Sequence, residues 1–148
     1  ISLDPEGELC RCGNRGCLEL KASFLAPLRE LSRVYGRTVT IEEAVHLAQR
    51  GEAGPLRMLG DTAAYAGRGL AIVGNVLNPP LILIGGALAQ AGSILLDPLR
   101  ASFERHSLLK PRDLPADQRT RIAISRFIDN DVVLGAVGLV LRHRGRMS

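Results

Sequence analysis

All three cysteines of the chain fall within one eight-residue window that begins at Cys10, includes Cys12 and ends at Cys17. A disulfide framework does not fit this window, because Cys10 and Cys12 are too close for an unstrained bridge and the count is odd. Inert structural cysteines are an alternative, but they have no reason to gather in a polar, glycine-rich stretch. Thiolates that surround one ion need this spacing and flexible glycines. The window therefore predicts a tetrahedral zinc site with three sulfur ligands and a fourth ligand from elsewhere.

The histidines of the chain are the first candidates for that fourth ligand. His46, His106 and His143 all lie on predicted helices, where each is better explained as a surface or groove residue than as a ligand. The chain also begins without Met, at Ile1, with a sequence that reads like the middle of an element. We therefore expect a fragment whose fourth zinc ligand lies upstream of Ile1.

The composition indicates a globular domain, or one lobe of a larger domain, since 46% of the 148 residues are hydrophobic. No apolar stretch approaches the roughly 20 residues of a membrane-spanning helix, and the first residues do not have the pattern of a secretion signal. We expect a cytoplasmic protein with no membrane partner, in which reducing conditions also disfavour disulfides. The net charge of +4 is scattered along the chain. The basic cluster at 142–146 is better explained as a helix end than as a nucleic-acid contact.

The first half of the chain predicts helices that follow an irregular loop at 4–16. Apolar residues recur at helical spacing from 24 to 34, and Gly36 is placed to end that helix. Thr40 begins a capping box for a short second helix. A longer, central helix is predicted over 56–77, and its glycines indicate that another backbone packs closely against it. These glycines are Gly60, Gly67, Gly69 and Gly74.

The second half alternates strands with helices, which indicates an α/β fold. The apolar run 81–84 is typical of a strand buried on both faces, and a Gly-Gly turn follows it. A helix is predicted to restart at Asp97, where a proline comes next. The segment 121–126 alternates as an edge strand does, and a final helix is predicted over 132–142. The residues available to cap that helix are Asp129 and Asp131.

The cysteine window is part of a longer pattern with a known counterpart. The run 7–19, followed by Ser23, resembles the signature Cys-x-Cys-Gly-x-x-Gly-Cys-x-Glu of the ROK family of sugar-responsive repressors and sugar kinases. The strand at 81–84 with its double glycine and the closing segment at 128–141 are also similar to the family, so the resemblance covers almost the whole chain. In that family a histidine ahead of the loop supplies the fourth zinc ligand, which the resemblance places just upstream of Ile1.

The resemblance also implies a fold class. The chain would be the α/β C-terminal lobe of an actin-like ATPase (ribonuclease H-like) fold with a zinc loop and a helical insertion. It would divide into a zinc loop at 1–22, a helical segment at 23–78 and a strand and helix closing portion at 79–148. The N-terminal lobe and any DNA-binding domain would lie upstream.

Two sets of ligand-binding residues follow from the same resemblance. Glu19 would accept hydrogen bonds from sugar hydroxyls, for which a carboxylate is well suited. The alternative is that Glu19 only favours the dipole of a nearby helix start. Gly85 and Gly86 would lie where the backbone approaches the adenosine of ATP. The alternative for this pair is a strand-to-helix turn that requires residues without a Cβ.

The resemblance implies two functions of different classes. The first is the sensing domain of a transcriptional regulator, which binds a sugar or sugar phosphate beside Glu19 and reaches DNA through an upstream domain. The second is an ATP-dependent sugar kinase. The kinase's phosphate-binding turn and catalytic aspartate do not occur in this chain, which alone should phosphorylate nothing.

The regulator is the preferred interpretation. The tract at 75–80 and the helix after Ser23 look more like regulator members, and no further glycine follows Gly86. A zinc-stabilised interaction module without a ligand is a third alternative. Long apolar helices also suggest a homo-oligomer.

Overall fold

The computed structural model describes residues 1–110, 113–126 and 131–144. Within these ranges the helices are α1 (Leu18–Ala22), α2 (Leu25–Tyr35), α3 (Ile41–Gln49), α4 (Ala53–Leu77), α5 (Ser93–His106) and α6 (Asp131–Arg144). The strands are β1 (Leu81–Ile84) and β2 (Arg121–Ile124), and short 3₁₀ turns lie at Ala87–Ala91 and Ala116–Gln118. This order confirms the predicted α/β class.

Helices α2 and α3 begin and end where local sequence signals place them. Gly36 ends α2 in the left-handed conformation, with φ of 65°, which glycine adopts at little cost. The Thr40 hydroxyl accepts a 3.2 Å hydrogen bond from the Glu43 amide at the start of α3, as the predicted capping box requires. Between the two helices, the Val39 amide donates to the Ser32 hydroxyl at 2.9 Å. This bond fixes the connection between α2 and α3 against the end of α2.

Helix α4 is the central element, and its glycines explain how closely its neighbours approach. A Cβ at Gly67 would collide with the carbonyl oxygen of Leu99 in α5. A Cβ at Gly69 would collide with the side chain of Leu18, and one at Gly74 would lie 2.8 Å from the Phe103 ring. The predicted close approach of another backbone is therefore confirmed at Gly67, whereas Gly69 and Gly74 face side chains. At Gly60 the prediction is wrong, since a Cβ there would meet nothing within 4 Å.

The sheet consists, in the described part of the chain, of β1 paired in parallel with β2 in the register Leu81↔Arg121 to Ile84↔Ile124. The prediction that β1 is buried on both faces is wrong, because Leu81 and Leu83 are 40% and 58% exposed. Ile82 and Ile84 point to the opposite face and pack against the core. The apolar run therefore alternates in burial, since the described elements cover one face of the sheet.

Helix α5 begins at Ser93 rather than at the predicted Asp97. The prediction placed Pro98 in a first turn, whereas Pro98 lies inside the helix and removes one backbone hydrogen bond there. The helix continues through it because Leu95 and Leu99, on either side, are 3% and 2% exposed. Their burial against the core offsets the lost bond.

The final helix α6 contains the predicted span 132–142 and extends beyond it at both ends. Its residues 133–142 are exposed. Asp131 is the first residue of the helix, while Asp129 lies outside the described residues. Among the helices in the described ranges, none combines the length and the hydropathy needed to cross a membrane.

Candidate metal and ligand site

The cysteine window folds as a compact loop that backbone hydrogen bonds hold together. The Cys10 amide donates to the Asn14 carbonyl at 2.7 Å, and the Gly16 amide donates to the Glu8 carbonyl at 2.9 Å. Gly16 has a φ of 56°, and a Cβ at this residue would collide with the carbonyl oxygen of Asp4. Only glycine satisfies both conditions. The glycine before the third cysteine thus lets the chain fold back on itself and brings the thiols together.

The sulfur atoms of Cys10, Cys12 and Cys17 all lie within 4.8 Å of one another. The Sγ atoms of Cys12 and Cys17 are 3.4 Å apart, and Cys10 and Cys17 are only 4% and 6% exposed. Tetrahedral zinc with bonds of about 2.3 Å holds its sulfur ligands roughly 3.8 Å apart. The three thiols therefore fit the size and the chemistry of a zinc ion.

None of the histidine side chains that the structure describes belongs to this cluster. The group of metal-ligating side chains found in the described residues contains the three cysteines and no histidine. His46 is exposed on α3, and the Nδ1 atom of His106 lies 2.8 Å from the Ser102 carbonyl oxygen in α5. For His143, which lies in α6, the structure describes the backbone alone. The fourth ligand remains a prediction.

Hydrogen bonds move the pKa values of Cys12 and Cys17 in opposite directions. A backbone hydrogen bond from Asn14, followed by the Cys17 thiol, lowers the pKa of Cys12 to about 7. The hydrogen bond with Cys12, followed by desolvation, raises the pKa of Cys17 to about 11. One thiolate next to one retained proton is the arrangement expected when thiols share a site without a metal.

These pKa values predict a pH dependence for zinc binding. Zinc binds thiolates, so binding at about pH 8 must displace the proton that Cys17 retains. The zinc affinity should therefore rise about tenfold or more for each unit by which the pH is raised. Below about pH 6, Cys12 is also protonated, and the slope should steepen by about a further factor of ten per pH unit. Competition against a chelator, corrected for the chelator's own protonation, measures both slopes. An affinity that does not vary between about pH 5 and pH 9 would contradict thiolate ligation.

Glu19 lies beside the sulfur cluster, in the first turn of α1, whose preceding residue is Cys17. Its Oε1 atom is 2.6 Å from Nη2 of Arg11, and the two side chains are 47% and 82% exposed. This ion pair is weak, because solvent screens both groups. Glu19 also lines a cavity of about 280 Å³, together with the sulfur-bearing Cys10. The structure thus places the predicted acid at a concave surface next to the predicted metal ligands.

The rest of the cavity is lined by residues of the cysteine loop, of α1 and α2, and of the connection between these helices. Its other lining residues are Arg11, Leu20, Ser23, Leu25, Ala26 and Arg29. Ser23 is the serine that trails the motif, so the sequence did contain a signal for it. Arg29 follows Leu25 by one helical turn on α2 and therefore lies on the same side of that helix, but sequence reasoning did not single it out.

The predicted nucleotide-binding glycines lie elsewhere in the fold. Gly85 and Gly86 follow the carboxyl end of β1, and Gly86 has a φ of 78° with open space where a Cβ would be. They precede the 3₁₀ turn at Ala87–Ala91. The cavity that contains Glu19 does not include them. Their role in binding ATP remains a prediction.

Comparison with known proteins assigns this architecture to a family. The sequence model of the ROK family matches residues 1–143. The DNA-binding transcriptional repressor Mlc of Escherichia coli is 33% identical over 144 residues, which is 90% of this chain and 34% of the repressor. The glucokinase of Halalkalibacterium halodurans is 32% identical over 128 residues, which is 76% of this chain and 39% of the enzyme.

A solved structure gives the same result. The crystal structure of a ROK family transcriptional regulator, a homologue of the Escherichia coli Mlc protein, matches with a TM-score of 0.74 and 33% identity over 86% of this chain and 33% of that one. The chain therefore has the α/β fold of its ROK structural neighbours and spans about a third of the length of that regulator and of the repressor Mlc. Its relatives include both repressors and glucokinases. Since the family model matches residues 1–143, nearly the whole sequence, this chain belongs to the ROK family.

Proposed function

We propose that the chain is the sugar-sensing C-terminal lobe of a ROK-type transcriptional regulator, with an actin-like ATPase fold of the ribonuclease H-like type. Residues 1–22 form its zinc loop, 23–78 its helical segment and 79–148 its closing portion. The repressor Mlc and the solved regulator, each 33% identical to this chain, support the regulator. The N-terminal lobe and the DNA-binding domain precede Ile1 in this proposal, and the protein acts in the cytoplasm as a homo-oligomer.

The observation that carries the proposal is the direct link between the sulfur cluster and the cavity acid. Cys17 is the residue before α1 and Glu19 is the second residue of that helix. A zinc ion held by the three sulfurs and an upstream histidine would fix the start of α1 and thereby the direction of Glu19. Such a four-coordinate site is closed, so zinc supplies structural anchoring rather than reaction chemistry.

Glu19 has the chemistry needed to recognise a sugar. Its carboxylate can accept hydrogen bonds from two neighbouring hydroxyls, and bonds to a charged acceptor are stronger than bonds between neutral groups. The exposed ion pair with Arg11 competes only weakly with a ligand. The Ser23 hydroxyl on the same cavity wall adds a group that both donates and accepts. Orientation of one sugar face by these two side chains is the basis of the proposed recognition.

The substitution Glu19→Gln tests this role in the zinc-loaded, full-length protein. It keeps the size of the side chain and removes its charge, so the affinity for the recognised sugar should fall roughly 10- to 100-fold, the range expected for hydrogen bonds to a charged group. Titration calorimetry with glucose, mannose, galactose and their 6-phosphates measures the change.

Glu42→Gln is a matched control for this substitution. Glu42 lies in the first turn of α3, as Glu19 lies in the first turn of α1, so both substitutions remove a favourable interaction with a helix dipole of about 0.3–1 kcal/mol. Only Glu19→Gln should change sugar affinity. If both variants lost a small and equal amount of stability and kept their sugar affinity, Glu19 would only stabilise the helix dipole. That result would refute the sensing proposal.

A sugar kinase is the second candidate, and the glucokinase relative at 32% identity favours it. In that function Gly85 and Gly86 would approach the adenosine of ATP. Two assays on the full-length protein separate the candidates. A change in operator affinity on addition of sugar supports the regulator, and sugar-dependent transfer of phosphate from ATP supports the kinase. A zinc-containing protein with neither response would be an interaction module.

A further inference from the structure

The cavity beside Glu19 contains more positive charge than a neutral sugar requires. Its charged lining residues are Glu19, Arg11 and Arg29. Glu19 already has Arg11 as its ion-pair partner, at 2.6 Å. Arg29 therefore leaves the cavity with one surplus positive charge.

Arg29 differs in this respect from the other arginine of its helix. Arg33, one turn further along α2, contacts Glu30 with an N–O distance of 2.5 Å. For Arg29, no ion-pair partner is found among the described side chains. Leu25 and Ala26 precede Arg29 by four and three residues and line the same cavity, which places the three on one face of α2. This guanidinium, which has no carboxylate partner among the side chains that the structure describes, is thus on the cavity side of the helix.

We propose that the ligand of this cavity is an anionic sugar, whose phosphate or carboxylate is bound by Arg29 while its hydroxyls are bound by Glu19. The proposal rests on the sugar-sensing function above and names its ligand class. A guanidinium presents two parallel N–H donors to phosphate or carboxylate oxygens. A neutral sugar would leave this charge without a counterpart, whereas an anionic sugar balances the site. Arg29 is then the residue that determines specificity for the charged form.

The test compares each neutral sugar with its phosphorylated form in the zinc-loaded, full-length protein. The probes are glucose, mannose and galactose, their 6-phosphates, glucuronate, and inorganic phosphate alone. At least one anionic sugar should bind about tenfold more tightly than its parent sugar. Arg29→Gln should remove that preference, so that the anionic sugar binds about as tightly as its parent sugar. Arg29→Lys should restore part of it, because the charge returns without the bidentate geometry.

Arg33→Gln is the matched control, since it removes the same charge from the same helix at an arginine that already has a carboxylate partner. It should leave the preference for the anionic sugar unchanged. If parent sugars bind as tightly as anionic ones, or if Arg29→Gln and Arg33→Gln behave alike, the anionic-ligand inference fails while the sensing function stands. If no sugar binds, or if Glu19→Gln has no effect on the sugar that does, the sensing function fails as well. Glucuronate against the 6-phosphates distinguishes a carboxylate ligand from a phosphate ligand.

Discussion

Replacing Cys17 with serine is expected to remove zinc from the protein and to abolish its sugar response. Cys17 contributes a buried sulfur to the cluster and directly precedes α1. Loss of a direct ligand should reduce zinc affinity by more than the roughly 10- to 100-fold cost of losing a hydrogen-bond partner of a ligand. Zinc content by elemental analysis should fall from one ion per chain to well below one. The unfolding temperature should fall with it, because metal binding contributes directly to folding.

A chelator separates the loss of zinc from any effect of the buried serine hydroxyl. Chelation should lower the unfolding temperature of the unmodified protein toward that of Cys17→Ser and should hardly affect the variant. Added zinc should restore the unmodified protein alone. If Cys17→Ser retained one zinc per chain and its sugar affinity, the three sulfurs would not form the metal site.

The second large effect is expected at Gly67, where α4 and α5 pack backbone against backbone. In Gly67→Ala the new Cβ would collide with the Leu99 carbonyl oxygen and would lie 2.9 Å from Cβ of Ser102. Neither neighbour can rotate away, so the helices must separate. The free energy of unfolding should fall by about 1–3 kcal/mol or more, which is the usual cost of forcing extra volume into a packed interior. Urea unfolding of the full-length protein measures it.

Gly60→Ala provides the opposite result on the same helix. A Cβ at Gly60 meets nothing within 4 Å, so alanine gains helix propensity without a clash and should stabilise the protein by about 0.5–1 kcal/mol. If the free energy of unfolding falls in Gly67→Ala and rises in Gly60→Ala, then close packing, and not helix propensity, requires glycine at Gly67. Stabilisation by both alanines would contradict the observed packing of α4 on α5.

The comparison of these two glycines also shows what the sequence can and cannot predict. Gly60 and Gly67 are seven residues apart, which places them on nearly the same side of α4 but about 10 Å apart along its axis. Helical periodicity therefore predicts the same environment for both glycines. Only the position at which α5 crosses α4 distinguishes them, and that position is a property of the tertiary fold.

The metal loop was predictable because its chemistry resides in residue type and local spacing. Cys10, Cys12 and Cys17 are close in the chain, so the loop that joins them has little freedom to separate them. The position of Arg29 was not predictable in this way. It approaches the cavity of Glu19 only through the angle between α1 and α2, which meet at Ser23. The exposed face of β1 was also not predictable, because its apolar run contains no polar residue to mark that face and its burial depends on which elements of the tertiary fold cover it.

The contact between Leu18 and Gly69 has a mechanical consequence for the candidate site. Leu18 is the residue before Glu19, and it rests on the bare backbone of α4 at Gly69. A second link joins the Arg68 guanidinium to the Leu3 carbonyl at 3.4 Å. A tilt of α1, the short helix that contains Glu19, must therefore push on α4 at Gly69. This position is about 12 Å from the end of α4, and β1 begins shortly after that end. The cysteine loop and β1 are both attached to α4, so we expect a displacement of the loop to be transmitted along this helix to the sheet.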